Sequence, residues 1–233
     1  MGFSGPIQAI LFEPVGCLAE FPPEPFLEIA VHLFGSRRKM AKSGSRAYWH
    51  LLNLIESGEK QLDASVEALE CQAVAAATLY EDVLPALAQL SAMGIRLLLA
   101  SSLSSVAIAR FLEQHSLSGF FAGVSTRDSA AGIKVAPLRS AVQSASIPPD
   151  HAIFLTDTAE GLRVAKNAGV IAILMMNDPD EARRLVMHEV VGQASATVQT
   201  HGPSGGIVSL HEVPDLIRFV DEKSRNPRGS FQT

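Results

Sequence analysis

Four polar features in this chain, one of them a serine pair, stand just past short apolar runs, and together they suit phosphate chemistry. Glu13 follows the run 7–12, Ser101 and Ser102 follow 95–100, Lys134 lies after 120–124, and Asp157 lies after 152–155. Two carboxylates can hold a hard cation such as Mg²⁺ through oxygen. A hydroxyl and an ammonium can hold phosphate oxygens through short, charge-assisted hydrogen bonds. Each position has an ordinary reading as well. Asp157-Thr158-Ala159-Glu160 ahead of Leu162 has the spacing of a capping box, so Asp157 can simply start a helix. Ser101 and Ser102 also precede a helical pattern and suit caps. Lys134 alone reads as a solvated loop lysine, and Glu13 alone as a polar residue ending a strand. The case for a site rests on the set, taken in order and at strand ends.

The elements that position them follow from hydrophobic period. Apolar runs at 7–12, 95–100, 120–124, 152–155, 171–175 and 207–210 read as strands. Helical patterns alternate with them: Leu84, Leu87, Ala88 and Leu90; Ile108, Phe111 and Leu112; Leu162, Ala165 and Ala168. Strands that are apolar throughout and separated by helices predict a parallel sheet covered on both faces. Ligands of such sheets sit beyond the carboxyl ends of the strands. Gly94, Gly119 and Gly169 stand where helices should stop. Between about Glu20 and Thr78 no strand is expected. Phe26, Leu27, Ala30, Val31 and Phe34, then Tyr48, Leu51, Leu52 and Ile55, then Leu62, Val66 and Leu69 predict helices, broken at Ser57-Gly58-Glu59-Lys60. Such an insert would lie over the strand ends, with Tyr48 and Trp49 in its own core.

Bulk properties narrow the classes. The chain has 233 residues, 47% hydrophobic and 18% charged, which is globular composition. A net charge of -5 argues against a general nucleic-acid or anionic-membrane binder. Two cysteines, Cys17 and Cys71, make no disulfide framework and suit a reducing cytoplasm. No apolar run approaches the ~20 residues needed to span a bilayer, so a cytoplasmic protein is expected. Arg37, Arg38, Lys39, Lys42 and Arg46 form a basic cluster within the insert, suited to a solvated face or to selecting an anionic ligand. The segment 201–206 is glycine-rich but lacks the Lys-Ser/Thr of a phosphate loop and reads as a connector.

The set resembles the haloacid dehalogenase (HAD) superfamily of phosphatases over roughly residues 7–220. The family's first motif is Asp-x-Asp-Gly-Thr-Leu after a hydrophobic strand, and here the corresponding loop is Glu13-Pro14-Val15-Gly16-Cys17-Leu18. Ser101 matches the second motif, Lys134 the third, and Asp157 with Gly161 the fourth. The resemblance implies an α/β, Rossmann-like HAD fold: a parallel sheet with helices on both faces and an inserted α-helical cap. It divides the chain into a core of 1–17 and 80–222, a helical cap of 18–79 as in the phosphoglycolate phosphatase and β-phosphoglucomutase branch, and a flexible tail of 223–233. It places Glu13 at the nucleophile position and Val15 at the general-acid position. Ser101, Ser102 and Lys134 would bind a small phosphorylated metabolite. Glu13, the Val15 backbone carbonyl and Asp157 would hold Mg²⁺.

The departures fall on the chemistry. Glu13 carries one methylene more than Asp, and a reacting atom displaced by ~1 Å can lose on the order of 10²-fold in rate. Val15 cannot transfer a proton, which removes help worth about 10²–10⁴-fold. Cys17 is a thiol at the same loop, with no histidine nearby in sequence to activate it. The expected function is a HAD-like phosphatase-family protein with a degenerate site and weak or no hydrolase activity, retaining some binding of Mg²⁺ and a phosphometabolite. The alternatives are an active Mg²⁺-dependent phosphatase that uses Glu13, and a non-catalytic partner-binding module.

Overall fold

The computed structural model describes residues 5–35, 41–177 and 205–225. In chain order its elements are β1 (Ala9–Phe12), β2 (Ala19–Glu20), α1 (Glu24–Phe34), α2 (Gly44–Gly58), α3 (Ala64–Ala75), β3 (Thr78–Leu79), α4 (Val83–Ala92), β4 (Arg96–Ala100), α5 (Ser105–Gln114), β5 (Gly123–Ser125), α6 (Val135–Ser144), β6 (Ala152–Thr156), α7 (Ala159–Ala168), β7 (Ile171–Met175), β8 (Gly205–Ile207) and α8 (Val213–Arg225).

Six strands form one parallel sheet in the order β5-β4-β1-β6-β7-β8. Every residue of β1, β6 and β7 is buried, which is why these strands read as unbroken apolar runs. Helices α6 and α7 pack together, and α4 packs with α8. Right-handed crossovers put these pairs on opposite faces of the sheet. The core therefore lies on both sides of β1. Residues 178–204 lie outside the described residues, as do Arg37, Arg38 and Lys39.

Register sets the level of every strand end. Phe12 pairs with Leu99 on one side and with Leu155 on the other. Glu13 thus emerges level with Ala100 and Thr156, and Ser101 and Asp157 come one residue further out. The chain reverses direction across the sheet at β1, so this crevice is the topological switch point of the fold.

The region between β1 and β4 is helical, with one addition. Ala19 and Glu20 pair antiparallel with Leu79 and Thr78, a two-residue ribbon that fastens the entry and exit of the insert. No strand was expected there, because two residues are too few to show a period. Caps follow the local chemistry: Ser43 accepts from the Arg46 amide at the start of α2, and Asp63 accepts from Ser65 and Val66 at the start of α3. Other boundaries shift. β5 begins at Gly123 rather than 120, and β8 covers 205–207, after which Ser209 opens a short turn with a true capping box. Gly94 and Gly169 do follow α4 and α7, whereas α5 ends at Gln114, well before Gly119. Helix α8 continues to Arg225, so residues 223–225 belong to it and not to a tail. Residues 226–233 lie outside the described residues.

An aromatic chain joins the insert to the core: Trp49, Tyr48, Phe26, Phe21 and Phe111 touch in succession, with ring centroids 5.3–6.2 Å apart. A second tie is ionic. Glu70 on α3 is buried, pairs with the buried Arg127, and accepts from the Ser104 amide at 3.1 Å. Burial pushes the Glu70 carboxyl up, and the Arg127 guanidinium opposes that shift. Breaking a buried pair strands the remaining charge. Arg127→Ala should therefore lower the unfolding free energy by about 3–5 kcal/mol. Adding Glu70→Gln, which keeps an acceptor for Ser104 but removes the charge, should restore part of the loss in urea unfolding. If it restores nothing, the stranded charge is not the source of the cost.

Candidate functional site

The loop after β1 is Pro14–Leu18, buried throughout. Gly16 is required twice over. Its φ is +81°, and a Cβ there would lie 2.2 Å from Ser45 Oγ and 2.4 Å from Asp157 Oδ2. The insert, the first loop and the β6 end therefore converge on Gly16. Its carbonyl accepts from Asn177 Nδ2 at 2.6 Å, and Asn177 also contacts the Tyr80 hydroxyl at 3.2 Å.

Glu13, Ser101, Ser102 and Asp157 are buried at the carboxyl ends of their strands, as the register requires, and Lys134, buried just ahead of α6, joins them through Ser102. The three residues expected as caps are not the ones that cap. Ser104, not Ser101 or Ser102, caps α5 by accepting from the Ala107 amide. Thr158, not Asp157, caps α7 by accepting from the Gly161 amide at 3.2 Å. Ser101 and Ser102 are thus not the N-cap of α5, and Asp157 is not the N-cap of α7.

What meets them is a residue from the insert. Tyr48 on α2 is 1% exposed, and its hydroxyl donates to Glu13 Oε2 at 3.1 Å. The same hydroxyl accepts from the Ser102 amide at 3.0 Å and lies 3.4 Å from Ser101 Oγ. Ser101 Oγ in turn donates to Glu13 Oε1 at 2.5 Å and accepts from the Leu103 amide. Both carboxyl oxygens of Glu13 are therefore engaged. The sequence reading placed Tyr48 in the core of the insert, which is correct for its ring and missed its hydroxyl. The signal was available: a buried tyrosine needs a partner for its O–H, and this one lies on the insert's apolar face.

Lys134 divides itself between two places. Its backbone N–H donates to Ser102 Oγ at 2.7 Å, with φ 58° and ψ -97°, an uncommon conformation for a residue with a side chain. Its Nζ reaches α2 instead, 2.6 Å from Asn53 Oδ1 and 2.7 Å from Glu56 Oε2. Asn53 Oδ1 also accepts from Arg163.

Burial pushes the Glu13 carboxyl up from 4.5 to about 8. Hydrogen bonds from Ser101, Tyr48 and the amides of Val15 and Ser102 offset part of that rise. At neutral pH Glu13 is then mostly uncharged. Burial also pushes the Cys17 thiol well up, and the charges of Asp157 and Glu13 add to it. Cys17 donates to the Leu155 carbonyl at 3.1 Å, which makes it a packed thiol and a poor nucleophile. Val15 is buried, with an apolar side chain that carries no proton. For Mg²⁺ the donor set fits poorly: both Glu13 oxygens accept hydrogen bonds from Ser101 and Tyr48, and Val15 could offer only its backbone carbonyl. No group of three His, Cys, Asp or Glu among the described residues could hold a metal ion.

A cavity of about 380 Å³ lies beside this cluster, between the start of α2 and the core. Lys42, Ser43, Ser45, Arg46, Tyr80, Asp157 and Asn177 line it. Glu13, Ser101 and Lys134 do not.

The sequence matches the family model for haloacid dehalogenase-like hydrolases over residues 38–175, more than half of its length. The chain belongs to the haloacid dehalogenase-like hydrolase family. The match begins after the loop that carries Glu13 and Val15. Among solved structures, a phosphonoacetaldehyde hydrolase-like protein from Oleispira antarctica is similar with a TM-score of 0.65 at 15% identity, covering 100% of this chain and 98% of that one. CbbY from Rhodobacter sphaeroides, in complex with phosphate, has a TM-score of 0.59 at 22% identity, covering 89% of this chain and 96% of that one. L-2-haloacid dehalogenase from Xanthobacter autotrophicus has a TM-score of 0.58 at 17% identity, covering 91% and 98%. At these identities the likeness establishes the HAD fold. No curated protein matches the sequence. No helix among the described residues is long and apolar enough to cross a membrane.

The raised pKa of Glu13 has a measurable sign. The folded protein keeps the Glu13 proton up to about pH 8, whereas the unfolded chain releases it near 4.5. Between those values the native state binds more protons, so stability falls as pH rises and levels off above 8. The gap of about 3.5 pH units sets an upper bound on the order of 5 kcal/mol. Glu13→Gln should flatten this fall, leaving the variant more stable than wild type at pH 9 in chelator-treated buffer. Parallel stability curves for the two proteins between pH 5 and 9 would contradict the assignment.

Proposed function

We propose that this protein is a HAD-like phosphatase-family member that does not hydrolyse phosphate esters, of the branch with a small helical cap. The observation that carries this reading is the setting of Glu13: buried, with its two oxygens accepting hydrogen bonds from Ser101 and Tyr48. A carboxyl held in this way is a weak nucleophile and a weak metal ligand. The second catalytic position, Val15, has no proton to give to a leaving group. The helices α1–α3 act as the cap in this reading, and they sit closed on the strand ends. In this reading Ser101, Ser102 and Lys134 are the phosphate-binding positions of the family, with their polar groups committed to Glu13, Tyr48, Asn53 and Glu56.

The reading predicts no Mg²⁺-dependent turnover of a generic aryl phosphate by the purified protein. Combining Glu13→Asp, Val15→Asp and Tyr48→Ala should raise turnover by at least about 10²-fold, because it restores nucleophile position and proton transfer and vacates the space above them. Wild-type turnover that disappears in Glu13→Ala would overturn the reading in favour of an active phosphatase that uses Glu13.

A further inference from the structure

Ser102 has three polar groups, and each leads to a different tie between the helical insert and the core. Its amide donates to the Tyr48 hydroxyl of α2 at 3.0 Å. Its carbonyl accepts from Arg127 Nη1 at 3.3 Å, and the same nitrogen pairs with Glu70 of α3. Its hydroxyl accepts from the Lys134 amide at 2.7 Å, and the Lys134 ammonium reaches Asn53 and Glu56 of α2. Ser102, Tyr48, Glu70, Arg127 and Lys134 are all buried. We infer that Ser102 is the hub of a single latch: the ties of α2 and α3 form and break together, so both helices cover the strand ends or neither does. This goes beyond the proposed function and does not depend on it, because it concerns the ties and not turnover.

The coupling has a physical basis. A buried donor or acceptor that loses its partner is costly, so Ser102 cannot shift to suit one partner without loss at the other two. The segment 127–134 adds leverage. It is fastened to Ser102 at both ends, by the Arg127 guanidinium and by the Lys134 amide. Within it Ala131 and Lys134 hold φ values of 51° and 58°. Residues with side chains keep such values only where their surroundings impose them. Freeing either end lets the segment relax and draws the other tie with it. The entry and exit of the insert suit joint movement as well, since Ala19 and Glu20 pair with Leu79 and Thr78. Two core amides read the two helices separately. The Ser102 amide is held by Tyr48 of α2, and the Ser104 amide by Glu70 of α3 at 3.1 Å.

Native-state hydrogen exchange at these two amides, measured against Leu99 in the sheet, tests the inference. Each variant cuts one tie and is read at the amide held by the other helix. Lys134→Met keeps its backbone bond to Ser102, and Tyr48→Phe keeps its ring. Both loosen α2, and each should speed exchange at Ser104 by at least about fivefold relative to Leu99. Glu70→Gln retains an acceptor for Ser104 but loosens α3, and it should speed exchange at Ser102 by a similar factor. Thermodynamic coupling is reciprocal, so a rise in one direction alone would overturn the inference. So would exchange that changes only at the amide held by the altered helix, which is the behaviour of independent ties. A rise at Leu99 equal to that at the reporters would overturn it too, because the sheet would then be opening with the insert. If Lys134→Met does not fold, Glu56→Gln, at a side chain 60% exposed, makes the same comparison for α2. Hydrolysis by the wild type would sink the proposed function and leave these exchange rates to be judged alone.

Discussion

The hydroxyl of Tyr48 is the point at which the helical insert and the strand ends become one structure. It bonds Glu13 from β1 and the Ser102 amide after β4, and it arrives on a helix held by an aromatic chain reaching Phe111 of α5. A buried tyrosine without such partners would carry a desolvation penalty of about 1–3 kcal/mol. A buried Glu13 without them would be worse placed still. Each group makes the other's burial tolerable, and the closed arrangement of α2 follows from that mutual requirement.

The other ties have the same character. Glu70 with Arg127 and Glu56 with Lys134 are ion pairs that bridge insert and core. Both core partners, Arg127 and Lys134, belong to the segment between β5 and α6. The strand ends, where this fold ordinarily leaves a crevice for ligands, are thus lined with side chains whose partners come from within the chain. A cavity lies beside them, which Asp157 lines and Glu13 does not.

Much of the scaffold was legible because its signals are local. The runs 152–155 and 171–175 are apolar on both faces and 95–100 departs from this only at Arg96, the pattern a buried parallel strand wants. The positions of Ser101 and Asp157 followed once those strands were placed, since a parallel register carries neighbouring strand ends to the same level. The capping readings failed by small offsets: Ser104 and Thr158 were equally suitable caps, and sequence cannot rank cap-forming residues one to three positions apart. The ribbon of β2 and β3 was too short to announce itself. The deeper omission was Tyr48. Its period on α2 declared a buried face but not what that face covered, because the contact joins residues 35 and 53 positions apart. The partners of Lys134 were hidden for the same reason, Asn53 and Glu56 lying 81 and 78 positions away.

The central claim is that the carboxyl at the first loop is neutral and held by Tyr48, not ionised and available to a metal or substrate. A ¹³C NMR titration of the Glu13 side-chain carboxyl, in the presence of Mg²⁺, tests it most directly. The account predicts a protonated carboxyl at pH 7 that ionises near pH 8 and does not respond to Mg²⁺ at neutral pH. A Glu13 carboxylate already ionised at pH 6, with a chemical shift that moves on adding Mg²⁺, would contradict it.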